Sequence, residues 1–407
     1  MSRQIVVIGG GAAGMMAAIT AAEAGARVTV VERNERPGRK LMITGKGRCN
    51  VTNACGREEF LSHVTSDPRF LYSALSAFPT ERTVAFFEES GVPLKTERGK
   101  RVFPVSDRAV DVVDALHRRM ERAGARLVHD RVTEICLSEG RVVSVKGERE
   151  QYPCDACILC TGGLSYPLTG STGDGYDFAR ALGHTVTPLR ASLSAVTSPD
   201  PLCGACMGLS LRNAGIRLER DGREIYTDFG EMLFTHFGLS GPVILSASTQ
   251  MDKPGNYELH VDLKPALSPE QVDARLLREI GENPRKEFRS LLHALLPASL
   301  CEPFLGRTGI PGEKRCAEVS RAERERTGRL LKDLCIPLSG LRPVEEAIIT
   351  AGGVSTREVD PKTMASKKAA GLFFAGEVLD VSAETGGFNL QIAFATGCAA
   401  GRAAAGE

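Results

Sequence analysis

The chain has 407 residues, 42% apolar and 25% charged, enough for two or three domains with sizeable cores. With 51 Lys and Arg against 50 Asp and Glu, no global field recruits nucleic acid or an anionic membrane, and aromatics at 5% with no Trp disfavour a base-stacking platform. No signal peptide precedes the first glycine turn and no apolar run approaches the ~18 residues of a membrane span, so the expectation is a cytoplasmic protein.

Residues 4–32 read as strand, glycine turn, helix and second strand. The strand is IVVI at 5–8, the turn GGGAAG at 9–14, and VTVV at 28–31 leads into Glu32. A dinucleotide needs each part. Gly9 allows the tight turn, Gly11 lets the backbone approach a pyrophosphate, and Gly14 lets the helix pack on the strand. The helix N-terminus offers N–H groups and partial positive charge to that pyrophosphate, and Glu32 can accept from ribose hydroxyls. This unit alone does not separate FAD from NAD.

A basic glycine-rich loop follows at 37–50. Residues 79–90 and 109–123 carry apolar positions at helical spacing, and 125–129, 132–135 and 156–160 read as strands, the last ending in Thr161-Gly162-Gly163. From about 191 the pattern turns to short strands at 209–211, 216–218, 225–227 and 257–262, an antiparallel sheet or barrel. Ser268 caps a helix with Pro269 at its first position, and helices continue to 335, with Glu325 and Arg329 at favourable i,i+4 spacing on a solvated face. Parallel-sheet character returns with a buried strand at 371–377 and a small-residue helix at 389–400. The expected organisation is an α/β, Rossmann-type nucleotide domain (1–190 and 342–407) interrupted by an antiparallel β domain (191–267 and 336–341) and a helical subdomain (268–335).

Two cysteine groups invite a metal or redox reading: Cys154, Cys157 and Cys160, and the C-x-x-C of Cys203 and Cys206. The first lies along a strand-like run, where cysteine is a small buried hydrophobe and Cys157 and Cys160 point to opposite faces. No thioredoxin-like context surrounds the second. No metal is expected.

Gly376-Glu377 places a second acid at the end of a buried strand, where open α/β sheets bind ligands. A flavin's ribityl hydroxyls suit it. The helix after Gly386-Gly387 can point its positive end at the flavin N1–C2=O edge, favouring reduced flavin by ~1–2 kcal/mol. These residues carry a resemblance. Ordered motifs at 9–14, 38–40, 44–53, 161–167, 169–176, 233–242, 376–380 and 386–391 resemble the bacterial NAD(P)/FAD-dependent oxidoreductases, also called aminoacetone-oxidase-like flavoproteins, which include bile-acid-inducible flavoprotein reductases. The match spans essentially the whole chain; Cys160 stands where alanine is expected.

The resemblance implies an FAD-binding Rossmann domain, an inserted β-barrel-like domain and a small helical subdomain. It implies that Gly11, Ala12, Ala13 and Gly14 meet the pyrophosphate, Glu32 and Arg33 the adenosine ribose side, and Val132 the adenine through its backbone. Gly376 and Glu377 fall to the ribityl chain, and Asn389, Leu390, Gln391 and Ile392 to the flavin ring. Arg39, Lys40, Thr161 and Gly162 join this cofactor set, and the loop holding Gly45, Cys49 and Asn50 lies beside flavin N5.

FAD carries the hydride chemistry, and NAD(P)H docks transiently, because the turn at 170–175 lacks the acid-ending strand of a second nucleotide site. Candidates for the protein's share are Tyr166 as proton donor, His236 in a loop of the insertion, and Lys46 and Arg48 as holders of a carboxylate or developing anion. Ser240 lacks the strand–elbow–helix context of a hydrolase nucleophile. The expected function is NAD(P)H-driven reduction of an unsaturated or carbonyl-conjugated small molecule by a monomer or homodimer. An amine oxidase and an FAD-bound electron carrier or RNA-modification accessory protein are the alternatives.

Overall fold

The computed structural model describes residues 2–407. The chain folds as two compact units, Met1–Ser192 with Val344–Glu407, and Leu193–Pro343.

The first unit is built on a five-stranded sheet ordered Leu372–Phe374, Ala156–Leu159, Gln4–Ile8, Arg27–Glu32, Arg126–His129. Every pairing is parallel. Numbered along the chain, the order is that of a doubly wound sheet, reversing direction between Gln4–Ile8 and Ala156–Leu159. These strands are continuous apolar runs because both faces are covered: Ile5, Val6, Val7 and Ile8 are all buried, as are Ala156, Cys157, Ile158 and Leu159. The Rossmann-type α/β class expected from the sequence is therefore present. An antiparallel meander of Val132–Ser138, Arg141–Gly147 and Gln151–Pro153 connects the third strand to the fourth. A small sheet of Thr52–Asn53, Arg101–Pro104 and Leu94–Glu97 was not legible in the sequence.

The C-terminal helix Phe388–Ala405 packs along Ala12–Glu23 with unusual closeness. A Cβ on Gly397 would stand 2.4 Å from the Ala13 carbonyl oxygen, and one on Gly401 2.5 Å from that of Ala17. Equal spacing of both pairs means the two helices run parallel. Phe388 begins eight residues ahead of the level of Ala12, an overhang of about 12 Å at 1.5 Å per residue.

The second unit centres on a seven-stranded antiparallel sheet. One edge is Leu334–Leu338, paired with Tyr257–Asp262, and the other is Gly340–Leu341, paired with Val196–Thr197. These edges are consecutive in the chain, so one run of backbone pairs on both sides and the sheet closes into a barrel. The short strands expected at 209–211 and 216–218 are one strand, Ser210–Arg220, bulged between Leu211 and Ala214, and 225–227 belongs to Arg223–Thr235. Helices Pro269–Glu282, Phe288–Leu292, Ala298–Thr308 and Arg321–Lys332 complete the unit. Ser268 and Ser320 each form a capping box, with Gln271 and Glu323. Glu325 pairs with Arg321 at 2.7 Å rather than with Arg329. No helix among the described residues is long and apolar enough to cross a membrane.

Cys154, Cys157 and Cys160 are buried free thiols, and burial pushes all three well above the ordinary thiol range. Burial also raises Cys203 and lifts Cys206 to about 11, leaving neither a ready thiolate.

Candidate active site

At the sheet's reversal point, the glycine turn divides its labour. A Cβ on Gly9 (φ +98°) would lie 2.7 Å from the Cys160 carbonyl oxygen, and one on Gly14 1.8 Å from that of Gly9. Both are glycine for packing. Gly11 differs: its Cβ would meet nothing within 4 Å. It opens the helix Ala12–Glu23 with no side-chain cap, so the first-turn N–H groups of Ala12 and Ala13 remain available to an anion.

Buried Glu32 braces this turn. Its Oε2 accepts from Gly10 N–H at 2.7 Å, and its Oε1 from Asn34 N–H at 2.8 Å and Asn34 Nδ2 at 2.6 Å. Oε2 keeps a lone pair for a further donor. Arg33 bonds Thr172 and Asp174, and Arg39 donates to Asn34 Oδ1 at 3.0 Å. Val132, buried, begins the meander just after Asp130. Burial disfavours the Asp130 carboxylate, but the Tyr152 hydroxyl and the N–H groups of Arg131, Arg149 and Glu150 hold its pKa below the usual range.

A second cluster lies where the C-terminal helix passes the start of Ala12–Glu23. Gly376 (φ +76°) packs on Ala13, and its N–H donates to Thr396 Oγ1 at 3.0 Å. Next to it, Glu377 Oε2 accepts from Lys40 Nζ at 2.7 Å, and Oε1 from Thr350 N–H at 2.8 Å and Ser165 Oγ at 3.2 Å. Lys40 also donates to Ser165 Oγ at 2.6 Å. Gly163 makes room, since a Cβ there would be 2.4 Å from Thr350 Oγ1 and 2.8 Å from Glu377 Oε1. Beside it in the Thr161-Gly162 turn, Thr161 Oγ1 is buried without a hydrogen-bond partner.

The start of the C-terminal helix meets the basic loop. Gly387 (φ +99°) would place a Cβ 2.4 Å from the Thr52 carbonyl oxygen, and Asn53 Nδ2 donates to Gly386 O at 3.1 Å. Within the loop, Gly45, Lys46 and Cys49 are left-handed at φ 57°, 60° and 61°. For Lys46 and Cys49 this is strain, of the kind that gathers at ligand clamps. Asn50 Oδ1 is buried and unpartnered. Burial pushes the Cys49 thiol up to about 12, so it is no nucleophile.

Several expected side chains prove to be committed elsewhere. Asn389 Oδ1 accepts from Ala383 N–H at 3.0 Å and its Nδ2 donates to Ala383 O at 2.8 Å. Gln391 Oε1 accepts from the hydroxyls of Thr52 at 2.7 Å and Thr83 at 2.6 Å, and Nε2 donates to Phe78 O at 2.9 Å. Ile392 is buried in the core and Leu390 packs against it. What this helix start offers a ligand is its backbone N–H groups.

Arg48 corrects a second expectation. Its guanidinium pairs with Glu97 at 2.5 Å and Asp107 at 2.6 Å and lies 4.1 Å over the Phe103 ring, so its charge is answered within the protein and it is no open anion holder. Lys46 is exposed and pairs with none of the described residues. Tyr166 follows Ser165 directly, is half-buried and left-handed at φ 54°, and its hydroxyl bonds to none of the described residues. His236 sits exposed at a hairpin tip of the second unit, edge-on to Phe237 at 4.9 Å. One pair escaped sequence reasoning. His63 Nδ1 lies 2.6 Å from Glu384 Oε2 and its ring stacks on Phe388 at 4.5 Å, beside the start of the C-terminal helix. A separation of 321 residues hid it.

The doubly wound sheet, the open helix end at Gly11 and the second helix end beyond an acid-ending strand define an FAD-binding Rossmann flavoprotein. The family model described as HI0933-like protein Rossmann domain matches residues 3–403, and the chain belongs to that family of FAD-dependent oxidoreductases. It is 34% identical over 418 residues to the 3-dehydro-bile acid delta(4,6)-reductase of Clostridium scindens, covering 99% of both chains. It is 30% identical over 398 residues to the ribosomal RNA dihydrouridine synthase of Haemophilus influenzae, covering 96% of each. Among solved structures, the 3-ketosteroid-delta4-(5alpha)-dehydrogenase of Rhodococcus jostii RHA1 aligns with a TM-score of 0.51 at 17% identity, over 100% of this chain and 97% of that one. The donor set suits FAD: an anion-ready helix end, a carboxylate cluster beside Gly376, and orphaned buried polar atoms at Asn50 and Thr161.

Proposed function

We propose that the protein is an NAD(P)H-driven FAD-dependent reductase that saturates a carbon–carbon double bond conjugated to a carbonyl in a small molecule. The observation that carries this reading is full-length likeness to two relatives whose names describe that one chemistry on different substrates. A Δ4,6-3-oxo steroid and a uracil ring both present an alkene conjugated to a carbonyl.

FAD, when bound, supplies the hydride at N5. In this reading Gly11, Ala12, Ala13 and Gly14 receive the pyrophosphate, Glu32 and Arg33 the adenosine ribose side, and the Val132 backbone the adenine. Gly376 and the Lys40–Glu377–Ser165 cluster hold the ribityl chain, while the N–H groups at the start of Phe388–Ala405 stabilise negative charge on the ring. Tyr166, with an uncommitted hydroxyl one residue from Ser165, gives the proton that completes saturation, and exposed Lys46 holds an anionic substrate group. All twelve cysteines are free, which supports a reducing, cytoplasmic setting.

The dihydrouridine synthase relatives favour a second reading, RNA as substrate. Against it, basic and acidic side chains are equal in number across 193–343 as they nearly are across the chain, so no net positive field draws a polyanion to either. Anaerobic photometry tests the proposal. NADH or NADPH bleaches the flavin and a conjugated enone restores its colour. Bleaching by an amine, with peroxide formed in air, marks an oxidase instead; reoxidation by RNA but not by enones marks the second reading. A flavin inert to both nicotinamides refutes the proposal.

A further inference from the structure

The outward wall of the barrel carries a cluster that the flavin chemistry leaves unused. Strands Ser210–Arg220, Tyr257–Asp262 and Leu334–Leu338 are neighbours, with Glu219 opposite Glu258, Arg217 opposite His260, and Cys335 opposite His260. Alternation buries Leu218, Leu259 and Ile336, so the polar set stands on the other face. The ligating atoms of Glu258, His260 and Cys335 all lie within 4.8 Å of one another.

The imidazole is held as a metal-ligating histidine is held. Its Nδ1 lies 2.8 Å from Asp333 Oδ1, while its Nε2 is buried without a hydrogen-bond partner, 3.7 Å from Glu219 Oε2. A carboxylate on one ring nitrogen fixes the tautomer that turns the other's lone pair outward. Arg217 answers Glu219 at 2.6 Å and Asp333 at 3.0 Å, leaving Glu258 and the Cys335 thiol as the anionic ligands.

We propose that Glu258, His260 and Cys335 form a Zn²⁺ site, its fourth position left to solvent, that ties the barrel's closing strand to its neighbour. Thiolate, imidazole and carboxylate together select zinc among the common divalent ions. Zn–S of ~2.3 Å and Zn–N or Zn–O of ~2.1 Å put tetrahedral ligand atoms ~3.5 Å apart, so the side chains close by about 1 Å on binding. A free thiol is protonated at neutral pH, so the incoming ion displaces a proton as the Zn–S bond forms. No metal is expected from C-x-x-C spacing alone; these ligands come together only because their strands are adjacent.

The FAD-loaded protein is titrated with Zn²⁺, dialysed and assayed for metal. One ion per chain is expected, with one proton released per ion. Co²⁺ in its place gives tetrahedral d–d bands in the red, beyond oxidised flavin. Cys335→Ser and His260→Gln each weaken Zn²⁺ binding at least ~100-fold, and Asp333→Asn about 10-fold. Wild-type protein that takes up no zinc, octahedral Co²⁺ spectra, or full affinity in folded Cys335→Ser overturns the proposal. The wild-type titration stands even where a variant fails to fold.

Discussion

Gly11→Ala separates cofactor binding from folding. The Cβ it adds meets no heavy atom within 4 Å, and Gly11 sits at φ −80° and ψ −167°, a conformation alanine adopts without strain. Apoprotein stability should change by less than about 1 kcal/mol, the difference between glycine and alanine at a helix N-cap. A methyl group in the space where backbone and pyrophosphate meet costs about 1–3 kcal/mol of overpacking, or roughly 10–100-fold in FAD affinity. The neighbouring Gly14→Ala should behave in the opposite way. Its Cβ would fall 1.8 Å from the Gly9 carbonyl oxygen, so the helix must move and the apoprotein itself is destabilised. Thermal melts of both apoproteins, with FAD binding followed by flavin fluorescence quenching, give the two numbers needed. If Gly11→Ala binds FAD as tightly as the wild type, no phosphate lies over that residue and the site is misassigned.

Glu377→Ala removes the partner of Lys40 and the acceptor of Thr350 N–H, and purified protein should retain less flavin, read from the 450 nm band relative to protein. Gln391→Leu leaves the Thr52 and Thr83 hydroxyls and the Phe78 carbonyl unpaired in the core, and should lower Tm by roughly 5–10 °C. Tyr166→Phe should slow enone reduction 10-fold or more while nicotinamide bleaching and flavin content persist, as stopped-flow half-reactions can separate (~10²–10⁴ is the usual range for a general acid). Lys314 and the Ser320 N–H hold Glu323 down at about 2 from an ordinary 4.5, so its stabilisation is complete above pH 4.5 and disappears as pH falls towards 2. Urea midpoints of wild type and Glu323→Gln should differ at pH 7 and converge through that window.

Much of this fold was legible because local chemistry carries it. The turn at 9–14, the capping serine at 268 and the strand at 257–262 each follow from residue type and spacing over a few positions. Local pattern could not give the length of Ser210–Arg220 and Arg223–Thr235, whose middle residues are held by cross-strand partners rather than by propensity. The site divides in the same way. Backbone-mediated features, such as the glycine turn and the helix start after Gly387, could be read directly. The destinations of long side chains could not. Arg48 goes to Glu97 and Asp107, Gln391 to Thr52 and Thr83, and His63 to Glu384, all through contacts that distant segments bring together.

The barrel's seam has a mechanical consequence. Because residues 334–341 supply both sides of the closure, one short run of backbone joins the first strand of the order to the last. The vulnerable point is the single peptide stretch around Ser339, where one protease cut would unhoop the whole cylinder.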